Sequence, residues 1–519
     1  MSTLQKDEVI FMAKESKIKS LNDLAKIIEE QRREGKVVVH CHGVFDLLHI
    51  GHIRHFEQAK QMGDILMVTI TTDQYVDKGP SRPAFPEVLR AEAIASLGMV
   101  NYVAVNPYPT AEETLRLLHP DIYVKGSEFK EIFSDMTGKI AGEAGMAKEL
   151  GIKIAFTEDI VFSSTNLINK YLSNLPEELD DYLRLFRQRN SLEQVMDILD
   201  RMSSLRVLVI GDTILDEYQY CEVMGKSSKD PVLAVKYQSN DIFAGGVLAV
   251  ANHVAGFADN VTLVTVLGDR DSHEEFIRSS LRPNISTIFA HQQNAPTLKK
   301  RRFVDGYSLN KLFEVYIMDD SGLDRGKDAA LCSLVKNQLD EFDVVIAADY
   351  GHGAISENLV YLVSKHSKFL AVSVQSNSGN RGFHTISRYP RADYTSIAEH
   401  EIRLELKARD GVSRAMMEQL SEKLGTSQFV VTRGKKGCLV ANNKMEFVDV
   451  PAFARNPVDR VGAGDAFFSV TALASALGAS NEMLGFIGNM AGAQAVSIIG
   501  NKESVNKLQL KKHITAIIK

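Results

Sequence analysis

At 519 residues the chain is too long for one ordinary hydrophobic core, and its 45% hydrophobic and 24% charged residues exclude a disordered or fibrous protein. A formal net charge of −6 gives no general attraction to nucleic acid or to an anionic membrane, so an anionic ligand must be met by local sites. Cys41, Cys221, Cys332 and Cys438 lie far apart without metal-ligand spacing, no apolar run is long enough to span a membrane, and the first residues lack the apolar core of a secretory signal, so a cytoplasmic protein is expected.

Residues 1–35 form an N-terminal helical segment in this reading, with Leu21, Leu24, Ile27 and Ile28 on one face of an amphipathic helix. From Val37 onward, strand-like and helix-like runs alternate: "KVVVHCH", a helix from His49, "DILMVTIT", "EVLRAEAIASLG", "VNYVAV", "TAEETLRLLH", "DIYVKG" and "KIAFTED". That alternation predicts an α/β domain over 36–172 with a parallel, doubly wound sheet. Its first crossover, "HCHGVFDLLHIGH", joins a buried strand to a helix, and its glycines let backbone amides approach a ligand closely. His49 and His52, three apart at the start of the helix, share one face. Together with the helix N-terminus they suit a triphosphate, and charge growing on an α-phosphate and a departing pyrophosphate. A zinc site built from His40, His42, His49, His52 and His55 is the alternative, although no Cys or carboxylate completes a recognised ligand set. Taken singly, His40, His42 and His55 read as structural or surface residues.

"GVFDLLHIGH" resembles the G-x-F-D-x-x-H-x-G-H signature of the cytidylyltransferase-like nucleotidyltransferases. The resemblance continues through "KGPSRPAFPEVLRAEAIASLGMVNYV", "PDIYVKGSEF" and a late "SST". It implies a Rossmann-like fold with His49, His52 and Lys125 as catalytic residues. Nucleotide phosphates would lie near Gly43 and Phe45, and Lys78, Arg90, Ser163, Ser164 and Thr165 would also contact them. Asp46 is expected to brace the turn. ATP and CTP both stay open as the nucleotidyl donor.

Residues 173–203 are polar and helical, and are read as a linker. A second α/β series, 204–519, opens with "LRVLVIGD". Near its end "VDRVGAGDAFFSVTALASALG" is another loop-to-helix turn. Gly462, Ala463 and Gly464 can aim successive amides at one anion, and Asp465 in the first helical turn is placed to take a proton from an attacking hydroxyl. "GAGDAF" resembles the ribokinase-like sugar kinases, with support from "GDTILDEY", "AGGVLAVAN", "PTLKKRR", "ADYGHGAI" and "VVTRGKKGCLV". The resemblance implies a ribokinase-like domain using ATP and Mg²⁺, in which Asp465 is catalytic and Glu399 organises the metal indirectly. Asp212, Asp216, Gly245 and Gly246 would meet the sugar, and Thr432, Gly434 and Gly437 the nucleotide. In the basic run Lys299–Arg302, strand alternation favours Lys300 and Arg302 for a substrate phosphate. The chain departs from the family pattern at Ala249 (usually Asn), at Ser396 in the N-x-x-E motif and at Val461 (usually Thr), while Asp459 is retained. These departures keep a second reading open, in which the kinase-like domain is a decayed ligand-binding and dimerisation module.

The pairing of domains resembles the bifunctional heptose-phosphate kinase/heptose-1-phosphate adenylyltransferases of bacterial surface-polysaccharide synthesis, with the order of the halves reversed. It implies a nucleotide-sugar precursor enzyme in which ATP and a sugar phosphate give a bisphosphate or a 1-phosphate, with a separate phosphatase acting between the two steps where the product is a bisphosphate. NTP and sugar 1-phosphate would then give NDP-sugar and pyrophosphate. Its partners would be sugar phosphate and nucleotides, without nucleic acid or membrane, and it would form a homodimer through the kinase-like domain. A third reading gives the first domain CTP with glycerol phosphate or an amino alcohol.

Overall fold

Short β-branched runs alternating with helices build two α/β units in the computed structural model, which describes residues 17–76, 82–126, 139–157, 176–409, 411, 414–454 and 458–518. One unit comprises Met1–Leu175 with Lys511–Lys519, the other Pro176–Leu510.

The first unit contains β1 (Val38–Gly43), β2 (Ile65–Thr71), β3 (Tyr102–Asn106), β4 (Ile122–Lys125) and β5 (Lys153–Phe156), in the order β3-β2-β1-β4-β5. Every pairing is parallel. The order reverses between β1 and β4, and open sheets of this kind bind ligands at the carboxyl ends of the strands beside such a switch point. Both faces are covered, so the strands read as nearly continuous apolar runs. Val39, Cys41, Val68 and Val124 pack with Phe56 and Ile94. On the other face Val38 and Met67 pack with Leu21, Leu24 and Ile28. The predicted N-terminal helix is therefore Leu21–Arg33, capped by Ser20, and it is one layer of this unit with Ile27 only partly covered.

The second unit holds β6 (Arg206–Lys226), β7 (Leu233–Gly246), β8 (Asn260–Arg270), β9 (Ile285–Pro296), β10 (Lys299–Asp305), β11 (Lys311–Ile317) and β12 (Val344–Asp349). After these come β13 (Leu370–Val374), β14 (Tyr394–Ala398), β15 (Gln428–Thr432), β16 (Cys438–Asn442) and β17 (Phe447–Val450). The main sheet runs β9-β8-β6-β12-β13-β14-β15-β16-β17, parallel until β16 and β17 turn antiparallel. Only the first part of β6 belongs to it. The remainder pairs with β7 on one side and β10 on the other, and β11 adds to β10, making a ribbon β7-β6-β10-β11. Parallel register sets Lys300 beside Asp216 and Arg302 beside Tyr218, so these four side chains share one face. Arg301 and Glu217 take the other face, where they form an ion pair at 2.7 Å.

The expected linker is corrected. Its polar run is two helices of the second unit, Glu177–Arg189 and Leu192–Arg201, the latter opened by a Ser191/Gln194 capping box. Leu179, Leu183 and Phe186, at i, i+4 and i+7, are buried, and Phe186 stacks on Phe486 with ring centroids 4.2 Å apart. A narrow apolar stripe on a charged helix is enough to dock it, and overall polarity hid that stripe.

Candidate active sites

In the first unit β1 ends at Gly43, and Phe45 follows in the left-handed region at φ 48°. The Phe45 ring stands edge-on to His52, 5.2 Å between centroids, and leans on Phe56. His49 caps the Ile50–Lys60 helix, its Nδ1 accepting the Gly51 N–H at 3.1 Å. Its ring stacks on His52 at 3.9 Å, so the two imidazoles do share one side of the helix start. The other histidines point elsewhere. His40 and His42 both meet the Thr69 hydroxyl, at 2.8 and 2.9 Å, and His55 meets Thr157 at 2.8 Å. Burial holds His40 well below the usual imidazole range and lowers His55 to about 4. Among the described residues no group of three or more His, Cys, Asp or Glu could hold a metal ion.

Asp46 is buried, accepting from Arg82 at 2.6 Å and from the Ala84 N–H at 2.6 Å, which braces the turn. Arg90, expected at phosphate, is committed elsewhere. Its buried guanidinium donates to the carbonyls of Phe85 (2.9 Å), Val44 (2.5 Å) and Thr71 (2.8 Å) and to Asp73 (2.5 Å), locking the loops after β1 and β2 to the Glu87–Ala95 helix. Lys125 ends β4 with its ammonium 2.7 Å from Glu143. Glu143, which sequence reading passed over, also accepts from the Tyr123 hydroxyl (2.8 Å) and the Ala111 N–H (3.1 Å). Lys78, Ser163, Ser164 and Thr165 lie outside the described residues.

The second unit has a cavity of about 330 Å³, open at the carboxyl ends of the parallel strands. Asp216, Gly246, Lys300, Arg302, Thr432, Gly462, Gly464 and Asp465 line it. Gly462 caps the Ala463–Ala476 helix at φ 81°, a conformation that favours glycine, and a Cβ there would sit 2.1 Å from the Asn501 side chain. Asp465 lies in the first turn and accepts on Oδ1 from the Tyr350 hydroxyl (2.8 Å) and from Gln375 Nε2 (2.7 Å). Burial pushes its carboxyl up to about 6, against those two donors. A carboxylate so poised is ionised at neutral pH and basic enough to accept a proton. Opposite it, Lys300 is buried, which lowers its ammonium, and lies 5.0 Å from the Tyr316 ring centre. Arg302 is paired with Asp216 and, at 3.3 Å, with Glu314. Asp459 receives the Tyr218 hydroxyl (2.8 Å), Lys311 (2.7 Å) and the Val461 N–H (3.2 Å), steadying the approach to the helix.

Other expected residues fall outside this cavity lining. Asp212, expected at sugar, is buried and accepts the N–H groups of Tyr350 and Ala354, each at 2.9 Å. Burial and neighbouring Asp349 push its carboxyl up to about 6. Gly245 leaves room for Asp216, whose Oδ2 would be 2.1 Å from a Cβ there. Gly434 and Gly437 shape the turn between β15 and β16, and Ala463 opens the helix. Glu399 starts the Glu399–Glu405 helix, but Glu401 is the carboxylate at the cavity. Glu401 accepts from the N–H groups of Ala398 (2.7 Å) and Ser376 (3.0 Å), and burial pushes it to about 7. Tyr350, Gln375, Glu401, Arg460 and Asn501 also line the cavity and were not singled out from sequence. Mg²⁺ commonly binds one or two carboxylates with substrate phosphates and water, and Glu401 at the cavity would supply such a carboxylate.

A basic ribbon facing a carboxylate at a helix N-terminus, across the carboxyl edge of a doubly wound sheet, defines a ribokinase-like α/β unit. Residues 204–508 match the pfkB family carbohydrate kinases, and the chain belongs to that family. Residues 40–170 match the family described as cytidylyltransferase-like. Among curated relatives, the bifunctional protein HldE of Desulfatibacillum aliphaticivorans is 27% identical over 318 residues, covering 60% of this chain and 63% of that one. HldE of Geobacter metallireducens is 35% identical over 167 residues, covering 32% and 33%. The chain thus spans less than two thirds of the length of these relatives. Of solved structures, phosphofructokinase-2 from Escherichia coli in complex with potassium aligns with a TM-score of 0.48 and 16% identity, covering 60% of this chain and 99% of that one. Among the described residues no helix is long and apolar enough to cross a membrane.

Proposed function

We propose that the chain is a bifunctional enzyme of nucleotide-sugar synthesis. Its pfkB unit phosphorylates a sugar phosphate, a heptose phosphate in the first instance, with ATP to give a bisphosphate and ADP; after a separate phosphatase has removed the original phosphate, its cytidylyltransferase-like unit joins the sugar 1-phosphate to a nucleotide and releases pyrophosphate. The observation that carries the reading is the second cavity. There Asp465 has one carboxylate oxygen occupied by two donors, at a helix N-terminus and opposite Lys300 and Arg302.

In the kinase step the acceptor hydroxyl gives its proton to Asp465 as its oxygen forms the bond to the γ-phosphorus, and ADP leaves. Amides at Gly462–Gly464 and the helix dipole stabilise the phosphoryl charge. Lys300 and Arg302 hold the acceptor's own phosphate. When bound, Mg²⁺ neutralises charge on the nucleotide phosphates. In the transferase step an oxygen of the sugar 1-phosphate attacks the α-phosphorus of ATP or CTP and expels pyrophosphate. His49, His52 and the amides of the Ile50–Lys60 helix stabilise the charge that develops there. Lys78, Lys125, Ser163, Ser164 and Thr165 complete the phosphate contacts. A cytoplasmic homodimer formed through the kinase unit is part of the same reading.

The test uses the full chain with ATP and heptose 7-phosphate, assayed for ADP. Heptose 1-phosphate with ATP or CTP is then assayed for pyrophosphate. Sugar-dependent ADP together with pyrophosphate release supports the proposal. Sugar phosphate binding without ADP formation across a broad panel assigns the second unit to ligand binding instead.

A further inference from the structure

Four titratable side chains of the second unit, buried Asp212, Asp349 and Tyr389 and half-buried His384, do not line the cavity and take no part in the chemistry proposed above. They converge on the loop that follows β12. Asp349 accepts from His384 (2.7 Å), Arg388 (2.5 Å) and Tyr389 (2.9 Å), fixing the end of the strand. Asp212 spans the loop by accepting the N–H groups of Tyr350 and Ala354. The Tyr350 carbonyl accepts from Asn377 (2.8 Å) and Asn380 (3.2 Å). Tyr350 is thus held at its amide and its carbonyl, and its hydroxyl is delivered to Asp465. The segment that supplies Asn377 and Asn380 begins with Gln375, the second donor to the same carboxylate oxygen.

We propose that Tyr350 and Gln375 are positioning residues that fix the Asp465 carboxylate with Oδ1 saturated and Oδ2 turned to the acceptor hydroxyl. A carboxylate with one donor swings about its Cβ–Cγ bond, whereas two donors on one oxygen set its plane. Charge-assisted bonds of this kind also favour the ionised form, which is the form that accepts the proton. The other charged groups around Asp465 act in both directions. Asp216 and Glu401 oppose its ionisation, and Lys300 favours it. The inference rests on the reading of Asp465 as the base.

The test compares the full chain with Tyr350→Phe and Gln375→Leu. For sugar-phosphate-dependent ADP formation, each variant should lower kcat by roughly tenfold with KM for ATP within about twofold. Each should also move the acid limb of the pH–rate profile upward by about one pH unit. If the variants lose thermal stability but keep the wild-type limb, the two side chains are packing residues and the proposal fails. Difference infrared titration of the carboxylate, each protein against its own Asp465→Asn counterpart, needs no turnover. An upward shift in Tyr350→Phe supports the proposal even in a chain that forms no ADP, a result that would instead count against the kinase reading. Equal titration of wild type and Tyr350→Phe overturns the proposal.

Discussion

Both units place a helix N-terminus at the carboxyl edge of a parallel sheet, yet they furnish that turn differently. After β1 the helix start carries two stacked imidazoles, and the nearby carboxylates Asp46 and Glu143 are tied to Arg82 and Lys125. At the Ala463–Ala476 helix the group beside the amides is a carboxylate pushed by burial to about 6 and steadied by a phenol and an amide. A helix N-terminus attracts phosphate in either setting. What stands beside it decides the chemistry. Donors alone suit phosphorus transfer between groups that are already anionic, whereas a hydroxyl acceptor calls for a base.

The sharpest way to break this comparison is Asp465→Asn. Sugar-dependent ADP formation should fall on the order of 10²–10⁴-fold, with ATP binding measured by calorimetry retained, because the base acts on the acceptor. Wild-type turnover in that variant would falsify the acid–base half of the contrast. His49→Ala and His52→Ala come next. Each should lower pyrophosphate release by roughly 10²–10³-fold and leave the kinase assay unchanged.

A third measurement concerns stability. Phe186→Ala removes a buried ring stacked on Phe486 and should cost about 3–4 kcal/mol in denaturant unfolding of the second unit. A loss under about 0.5 kcal/mol would return residues 177–201 to the status of a linker.

The smallest expected effect carries a sign. Folding raises the Asp465 carboxyl from 3.8 to about 6, so the folded state binds the proton more tightly, and stability declines as pH rises through that window. Asn keeps an oxygen for Tyr350 and Gln375 without the buried charge. Asp465→Asn should therefore be more stable than wild type near neutral pH, by about 1–3 kcal/mol in denaturant unfolding, and lose that advantage near pH 4. An advantage that is the same at both pH values would remove the buried charge from the account.

Local pattern was enough for the strand–turn–helix at "GVFDLLHIGH" and the loop-to-helix turn at "GAGDAF", because glycine, helix periodicity and β-branched runs act over a few residues. It was enough for the face shared by Lys300 and Arg302, since a strand alternates whatever it packs against. Which groups answer those residues depended on the fold. Tyr350 and Gln375 lie 115 and 90 positions from Asp465 and meet it because neighbouring parallel strands end side by side. Glu143 reaches Lys125 only through the packing of its helix against the Glu112–Leu118 helix and β5. Arg90 and Asp212 have the residue types expected at phosphate and sugar. Their bonding groups are instead taken up by loop carbonyls and amides, because a buried ion must be satisfied by whatever the chain folds around it. Residue type and spacing therefore determined where the anion-ready turns lie. Burial and long-range contact decided which charges remained available at them.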